Sequence, residues 1–381
     1  MRQQANHHAS LLGGHVSQQL RRLLQIADVG GHSHTYRRMV EELLGPAARR
    51  PLSSGAPSGS FVSDDHTPVE FSLSFSPDAA PLLRVLVEPG CQATTWAGSG
   101  RAGLCALERA TSAWGVRLDQ LDLLNDLFLP PAAQGPFALW CAAELRPSGH
   151  PGFKVYLNPL AHGPMRAAEV VEDALARLGF SEAYPTARQH AALGSTKGED
   201  FLFFALDVGQ WGDPRVKVYQ RHPNATLDDI IDAARLMPGP HPEAIATFCY
   251  QAAGVDRFDR LPVISCYSYT AADSRLPSAY TVHVPVRAYL SDDQIVRNRA
   301  VQMLQDYGMR HGVLDRALTA LVTRRLSDGV GLIPYFSLVH PRRGPARITS
   351  YLSSEAYQVA PQQRTPFAAA ADRVPEPRTS S

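Results

Sequence analysis

Residues 215–219 read RVKVY, a segment in which two cations and a tyrosine alternate with two valines. Successive residues of a β-strand point to opposite faces, so Arg215, Lys217 and Tyr219 share one face and the valines share the other. Residues 154–157, KVYL, repeat the pattern. The repetition predicts strands with one apolar face and one face that combines positive charge with tyrosine rings.

Five candidate hairpins lie along the chain, each made of two extended runs joined by a turn rich in Pro, Gly, Ser or Asp. They pair Val69–Phe75 with Leu82–Glu88, Phe137–Leu145 with Phe153–Leu157, Phe201–Val208 with Arg215–Gln220, Pro262–Tyr269 with Tyr280–Val286, and Leu332–Val339 with Arg347–Leu352. Corresponding positions of the second strands recur every 63 to 70 residues, which is the length of one hairpin plus two short helices.

The segments between the hairpins have the apolar periodicity of helices. The predicted helices include Arg101–Trp114, Met165–Leu178, Leu227–Leu236, Asp292–Tyr307 and Leu314–Leu321. Five helix-helix-strand-strand repeats predict an α+β fold, a ten-stranded antiparallel β-barrel ringed by α-helices, because closure removes the edges of a sheet. Such a barrel is wide enough to hold ligands in its lumen. We expect one domain over residues 1–360 and a flexible tail over 361–381.

The composition is that of an ordinary globular protein, with 44% hydrophobic and 19% charged residues among 381. The net charge of +1 argues against broad nucleic-acid binding, so any anion site has to be local. The five cysteines form no CxxC pair, which fits a reducing cytoplasm better than disulfides or a zinc site. We expect no signal peptide and no membrane span, which needs an apolar run of roughly 18–20 residues.

Inward-facing cations on the second strands favour a lumen that binds an anion. The positions that share a face are Arg84; Lys154 and Tyr156; Arg215, Lys217 and Tyr219; Thr281 and His283; and Arg347, Thr349 and Tyr351. An apolar core does not accept so many unpaired cations, since burying each of them costs several kcal/mol. A diphosphate would compensate their charge, and tyrosine faces would stabilise a carbocation. The alternative is an open face on which the cations only improve solubility.

Glu70 interrupts a strand that is otherwise apolar or hydroxyl-bearing, within the segment TPVEFSLSF at residues 67–75. A carboxylate in that position is suited to accept a ligand N–H or to act as a general base. A surface glutamate on an edge strand is the alternative interpretation.

Three motif-like segments are better explained by local structure. Residues 228–232, DDIID, fit the DDxxD magnesium motif, but acids in the first turn of a helix capped by Thr226 explain them without a metal. Residues 98–103, GSGRAG, fit GxGxxG but follow a hairpin, so we expect a loop that leads into a helix. Residues 63–66, SDDH, are expected to form a turn.

Eight segments resemble the bacterial aromatic (indole) prenyltransferases of the dimethylallyltryptophan synthase type. They are FVSDDHTPVEFSLSF (61–75), LRVLVEPG (83–90), FALWCAAELR (137–146), KVYLNP (154–159), RVKVY (215–219), YTVHVPVR (280–287), LSDGVGLIPYFSLVH (326–340) and ITSYLSSEAY (348–357). The resemblance runs from about residue 10 to 360 and, within the family, is greatest to actinobacterial tryptophan 6-dimethylallyltransferases. It implies the barrel of ααββ repeats that is called the ABBA fold.

The resemblance also implies roles for single residues. Glu70 matches the glutamate that accepts the indole N–H and raises the nucleophilicity of the ring, and Phe61 and Val62 are placed beside the same aromatic substrate. The implied diphosphate-binding residues are Arg84, Lys154, Arg215, Lys217, His283 and Arg347. The implied carbocation shield is Tyr156, Tyr219 and Tyr351.

Two features depart from the pattern of the family. Fungal members carry Gln-x-Tyr before Phe-Pro, whereas this chain has Thr281 and His283 before Val284-Pro285. The lysine that takes the ring proton has no clear counterpart; Arg146 lies nearest, and a guanidinium is a poor base.

The implied reaction is electrophilic aromatic substitution: a dimethylallyl group passes from dimethylallyl diphosphate to the indole of L-tryptophan, at C-6, and diphosphate is released. No cofactor, metal, nucleic-acid or membrane partner is implied, and we expect a cytoplasmic monomer or weak homodimer. The alternatives are attack at C-5 or C-7, a tryptophan-containing dipeptide or tyrosine as the acceptor, or a barrel that binds small molecules without turnover.

Overall fold

The computed structural model describes residues 11–57, 59–191, 201–209, 215–235, 237, 242–322 and 324–362. The strands are β1 Val69–Phe75, β2 Leu82–Val87, β3 Leu139–Leu145, β4 Gly152–Leu157, β5 Phe201–Val208, β6 Arg215–His222, β7 Ala225–Thr226, β8 Arg257–Phe258, β9 Val263–Thr270, β10 Ala279–Val284, β11 Phe336–Pro341 and β12 Arg347–Ser353. Ten of them close into an antiparallel barrel in the order β1-β12-β11-β10-β9-β6-β5-β4-β3-β2, and β7 pairs with β8 alone. The predicted ten-stranded barrel is confirmed.

Helices separate the successive hairpins and surround the barrel. They are α1 Leu12–Ile26, α2 Ser33–Leu44, α3 Trp96–Ser112, α4 Asp119–Asp122, α5 Asn125–Phe128, α6 Ala167–Arg177, α7 Tyr184–Ala191, α8 Leu227–Arg235, α9 Pro242–Ala253, α10 Asp293–Asp306 and α11 Gly312–Leu321. Two helices precede most hairpins, and the β3–β4 hairpin follows three. The repeat of two helices and two strands therefore holds, with one short helix added and the β7–β8 pair inserted.

The barrel strands turn apolar faces outwards, and most of their charged side chains, together with some apolar ones, lie on the inner faces. On β6, Val216 and Val218 are fully buried in the core cluster that the helices complete, whereas Arg215 and Lys217 line the lumen. On β1, Phe71 packs outwards in the same way. The main hydrophobic core is thus a shell between helices and barrel, and the lumen holds the charged side chains beside two smaller apolar clusters.

The GxGxxG segment lies inside a helix, so the loop expected there is wrong. α3 begins at Trp96 because the side chain of Thr95 caps it, accepting the Gly98 N–H at 3.1 Å. Close packing explains a glycine in this helix: a Cβ on Gly100 would lie 2.9 Å from Leu129 Cδ2. The closely spaced glycines are therefore explained by close packing of the helix and do not form a nucleotide-binding loop.

β11 begins at Phe336, four residues later than the predicted start at Leu332. The carboxylate of Asp293 accepts the backbone N–H groups of Gly331 and Leu332, both at 3.0 Å, and pairs with Arg324 at 2.5 Å. Backbone donors held by a side chain are not available to a neighbouring strand. The other strand ends either coincide with the prediction or differ from it by one or two residues.

The acidic segment at 228–232 forms the first turns of α8, as predicted. The Asp229 N–H donates to Thr226 Oγ1 at 3.2 Å, and Asp229 Oδ2 accepts the Thr226 N–H at 2.8 Å. This reciprocal cap accounts for the acids without a metal.

The expected C-terminal tail falls outside the described residues from position 363 onwards, and the polar N-terminus, 1–10, does as well. Over the described ranges, no helix is both long and apolar enough to cross a membrane.

Candidate active site

The lumen of the barrel holds a cavity of about 840 Å³, a volume within the range of small-molecule sites. Glu70 and Tyr351 line it towards one end, and Ser76, His150 and Gly209 line it where the hairpin turns lie. Most of the strand residues that line it are the alternate residues that the sequence predicts, and residues outside the strands, such as Trp114 and Val116, complete the lining.

Charges of alternating sign follow one wall of the lumen across five consecutive strands, β2 to β6. The register sets Arg84 opposite Glu144 and Lys154 opposite Asp207. Arg84 Nε lies 3.3 Å from Glu144 Oε2, and Lys154 Nζ lies 3.5 Å from Asp207 Oδ1. Arg215 Nη2 lies 2.6 Å from Asp207 Oδ2. We call these five residues the charged row; sequence reasoning identified its three cations and missed its two acids.

Both acids of the charged row are ionised at neutral pH. Burial favours the neutral acid, but Arg84 and Arg146 outweigh it and hold the pKa of Glu144 below its usual value. Burial likewise favours the neutral form of Asp207, but Lys154 and other nearby cations outweigh burial and hold the pKa of Asp207 below its usual value.

Two further lumen cations, Lys217 and Arg347, have no ion-pair partner among the residues that the structure describes. Burial and the nearby charge of Lys154 lower the pKa of Lys217 to about 7. Burial and the charges of Arg84 and Arg215 lower the pKa of Arg347. Cations that depress one another's pKa lie in a positive potential, and a polyanion bound among them would relieve it.

An aromatic belt adjoins the cations. The ring centroids of Tyr156 and Tyr219 lie 5.8 Å apart, those of Tyr219 and His283 also 5.8 Å, and those of His283 and Tyr351 5.7 Å. Phe203 meets the edge of Tyr219 at 5.6 Å. These five residues form a surface of π-faces that can stabilise a cation and exclude water.

His283 belongs to the belt as an uncharged ring. Burial and then Lys217 lower the pKa of His283 to about 3, and its Nδ1 lies 3.2 Å from the hydroxyl of Tyr351. A neutral imidazole keeps one N–H donor, so a hydrogen bond to a phosphate oxygen is open to it without a charge contribution.

Glu70 is buried, with 8% of its surface exposed, and it lines the cavity on β1. Burial raises the pKa of its carboxyl to about 8; the cation of Arg287 acts against this shift, and the carboxylate of Asp64 adds to it. A buried acid poised near neutral pH is the type of group that accepts and releases protons in active sites.

Arg287 is a site residue that sequence reasoning missed. It forms an ion pair with Asp64, and its guanidinium lies 4.9 Å from the ring centroid of Tyr335. It continues the alternation of Thr281 and His283 in the sequence, but it lies three residues beyond the end of β10, in the short 3₁₀ helix Val286–Ala288, and was given no role. The pair of Arg287 and Asp64 sets the electrostatic environment of Glu70.

Opposite shifts in the pH dependence are expected from the two members of that pair. Arg287→Met removes a cation that lowers the pKa of Glu70, so the rising limb of kcat/KM against pH moves to higher pH. Asp64→Asn removes a charge that raises the same pKa, so the limb moves to lower pH. Rate profiles of both variants measure the shifts, and two shifts in the same direction would contradict this account of Glu70.

The two remaining predicted substrate residues do not line the cavity. Val62 is buried beside Trp140 and Phe137, whose rings lie 4.4 Å apart. Phe61 is 40% exposed, and its ring meets the edge of His66. Any contact of these two with a ligand therefore needs the ligand to extend beyond the cavity.

The strand register brings the carboxylate, the cations and the aromatic belt within reach of one another. Ser72 on β1 pairs with Arg84 on one side and with Tyr351 on the other. Glu70 lies two residues beyond Ser72, which is roughly 7 Å along a strand. One small anionic ligand and one aromatic ligand placed side by side would touch all three groups.

Over the described ranges, no three His, Cys, Asp or Glu side chains are grouped to hold a metal ion. The two acids of the charged row have cations as partners instead.

A closed antiparallel barrel of ααββ repeats, with a cationic wall and an aromatic belt in its lumen, is the architecture of the ABBA prenyltransferases. The model of the family described as tryptophan dimethylallyltransferase matches residues 15–316 of this chain, and the chain belongs to that family. It is a prenyltransferase.

Solved structures agree with this assignment. The prenyltransferase PriB, in a ternary complex with L-tryptophan and dimethylallyl thiolodiphosphate, is 47% identical, with 94% of this chain and 100% of that chain covered and a TM-score of 0.88. The 5-dimethylallyltryptophan synthase from Streptomyces coelicolor is 48% identical, with 92% and 99% covered and a TM-score of 0.87. The 6-dimethylallyltryptophan synthase from Micromonospora olivasterospora is 37% identical, with 92% and 99% covered and a TM-score of 0.87.

Proposed function

We propose that this chain transfers the dimethylallyl group of dimethylallyl diphosphate to C-6 of the indole ring of L-tryptophan, with release of diphosphate and without a metal ion. The observation that carries the proposal is the arrangement of the lumen: cations, aromatic belt and a buried carboxylate share one cavity of about 840 Å³. Simple anion binding would need neither the belt nor Glu70.

In the proposed reaction, the bond between the allylic carbon and the diphosphate oxygen breaks, and its electron pair leaves with the diphosphate. The cations of the charged row, together with Lys217 and Arg347, bind that leaving group through charge-assisted hydrogen bonds. Fixed charges placed where negative charge develops lower the barrier without reorganisation of solvent. His283 adds one neutral hydrogen bond.

The allyl cation then lies between the faces of Tyr156, Tyr219 and Tyr351 and the indole ring. Glu70 accepts the indole N–H, and its negative charge raises the electron density of the ring. A new carbon–carbon bond forms at the ring carbon that faces the cation, and the proton on that carbon then passes to the released diphosphate or to water, which restores aromaticity. Orientation of the ring therefore decides the position of attack.

The names of the similar structures support the two substrates. PriB is described with L-tryptophan and a thiolodiphosphate analogue of dimethylallyl diphosphate, and the Micromonospora enzyme with the same amino acid and an analogue. C-6 is proposed from the sequence resemblance, whereas the identity of 48% to a 5-dimethylallyltryptophan synthase, against 37% to a 6-dimethylallyltryptophan synthase, favours attack at C-5 as the alternative. C-5 and C-6 are adjacent, so a small rotation of the ring about the Glu70 contact exchanges them.

The first test is the reaction itself. Incubation with dimethylallyl diphosphate and L-tryptophan in the presence of EDTA is expected to add one C5H8 unit to tryptophan, as read by mass spectrometry. Proton NMR of the isolated product then distinguishes C-6 from C-5 and C-7. Tyrosine and a tryptophan-containing dipeptide serve as competing acceptors. Absence of the adduct on all of these acceptors would overturn the proposal.

A further inference from the structure

The charged row contains a feature that anion binding alone does not require. Glu144 and Asp207 place two carboxylates inside the proposed diphosphate site, where like charge repels the ligand. Their contacts are with the cations that the diphosphate would use, at 3.3 Å to Arg84, 3.5 Å to Lys154 and 2.6 Å to Arg215.

The contacts differ in strength, and Asp207 makes the strongest. Arg215 donates to Asp207 Oδ2 through both Nε, at 2.8 Å, and Nη2, while Lys154 approaches Oδ1. Glu144 likewise accepts from Arg84 on one side and from Arg146 Nη2, at 2.9 Å, on the other. Each acid therefore links cations from two positions of the wall.

On the basis of the proposed function, we infer that Glu144 and Asp207 are internal competitors of diphosphate: they neutralise the cations of the empty lumen, lower the affinity for the anion, and so promote release of the diphosphate product. Without the acids, Arg84, Lys154 and Arg215 would repel one another on adjacent strands and would bind a polyanion too tightly to release it quickly. With them, the cations return to a partner when the product leaves.

A purely positioning role makes the opposite prediction. If the acids only hold the guanidinium and ammonium groups in a binding geometry, their loss weakens the binding of diphosphate. If they compete with diphosphate, their loss strengthens it. The sign of the change in affinity therefore separates the two roles, and no turnover is needed to measure it.

Isothermal titration with inorganic diphosphate, at one fixed salt concentration, tests the inference. Asp207→Asn and Glu144→Gln keep the shape of each side chain and remove its charge. We expect each variant to bind diphosphate about tenfold more tightly than the wild-type protein, the effect of deleting one like charge close to a multivalent anion in a partly screened site. The inhibition constant for diphosphate in the prenylation assay should fall by the same factor.

Asp126→Asn is the matched control, because Asp126 forms an exposed ion pair with Arg177 outside the lumen. Equal or weaker binding in both lumen variants would overturn the inference and leave the proposed function intact. Failure of the wild-type protein to bind diphosphate at all would instead overturn the proposed diphosphate site. If one variant does not fold, as judged by thermal unfolding, the other one decides.

Discussion

Replacement of Glu70 by Gln is expected to lower kcat for tryptophan prenylation about 100-fold or more, the effect of losing a positioned basic carboxylate beside the indole N–H. Glutamine fills the same space on β1 and its amide oxygen still accepts the indole N–H, but it brings no negative charge to the ring. The comparison is clearest above pH 8, because the pKa of Glu70 is about 8 and the wild-type carboxyl is then mostly ionised. Steady-state rates with saturating substrates measure the loss.

The same variant is not expected to lose stability, which separates a chemical effect from unfolding. The pKa of Glu70 is raised from an ordinary value of 4.5 to about 8, so the folded state retains a proton that the unfolded chain has already released. Stability from this group is present below pH 4.5 and is lost as the pH rises towards 8. A glutamine side chain does not titrate and has no such loss, so the variant should unfold at an equal or higher temperature at pH 8.

Glu182→Gln is the control for this experiment, because Glu182 is exposed and pairs with Arg275 at the surface. It should retain the wild-type rate. Wild-type turnover in the Glu70 variant would remove this carboxylate from the mechanism.

The barrel was predictable because its strands face two different environments. The valines of β6 pack against the helices and its cations face the lumen, so apolar and charged residues alternate along the sequence with a period of two. Where tertiary contacts outweighed local pattern, the prediction failed. The glycines of α3 were predicted to form a loop because their packing partner, Leu129, is distant in sequence. Leu332 was predicted to lie in a strand, but its backbone N–H donates to Asp293 instead of to a neighbouring strand.

The site was predictable where function imposes an unusual residue on a strand, and not elsewhere. The chain has only three lysines, and two of them, Lys154 and Lys217, line the lumen. Asp207 and Glu144 gave no such signal, because acids at the ends of strands are usually solvated, and only the register reveals that cations surround them.

Replacement of Lys154 by Met is expected to lower kcat/KM for dimethylallyl diphosphate about 100-fold or more. The ammonium group supplies a charge-assisted hydrogen bond worth roughly 1.5–3 kcal/mol in binding. It also stabilises the negative charge that develops on the leaving diphosphate, so its removal lowers kcat as well. Methionine preserves the unbranched apolar stem that packs in the wall. KM for L-tryptophan should change little, because Lys154 pairs with Asp207 and not with Glu70, the proposed partner of the indole N–H.

The physical reason for expecting so large an effect is the position of Lys154 at the centre of the row. It lies on β4 between Glu144 and Asp207, and its loss leaves Asp207 with less positive charge to balance it. The positive potential at the diphosphate then decreases for two reasons: one cation is missing, and the negative charge of Asp207 is less well balanced. Lys154→Arg keeps the charge and should retain most of the activity that Lys154→Met loses, whereas Arg166→Met, which removes an exposed cation paired with Glu169, should have no effect. If Lys154→Met and Arg166→Met reduce kcat/KM equally, the lumen is not where the diphosphate binds.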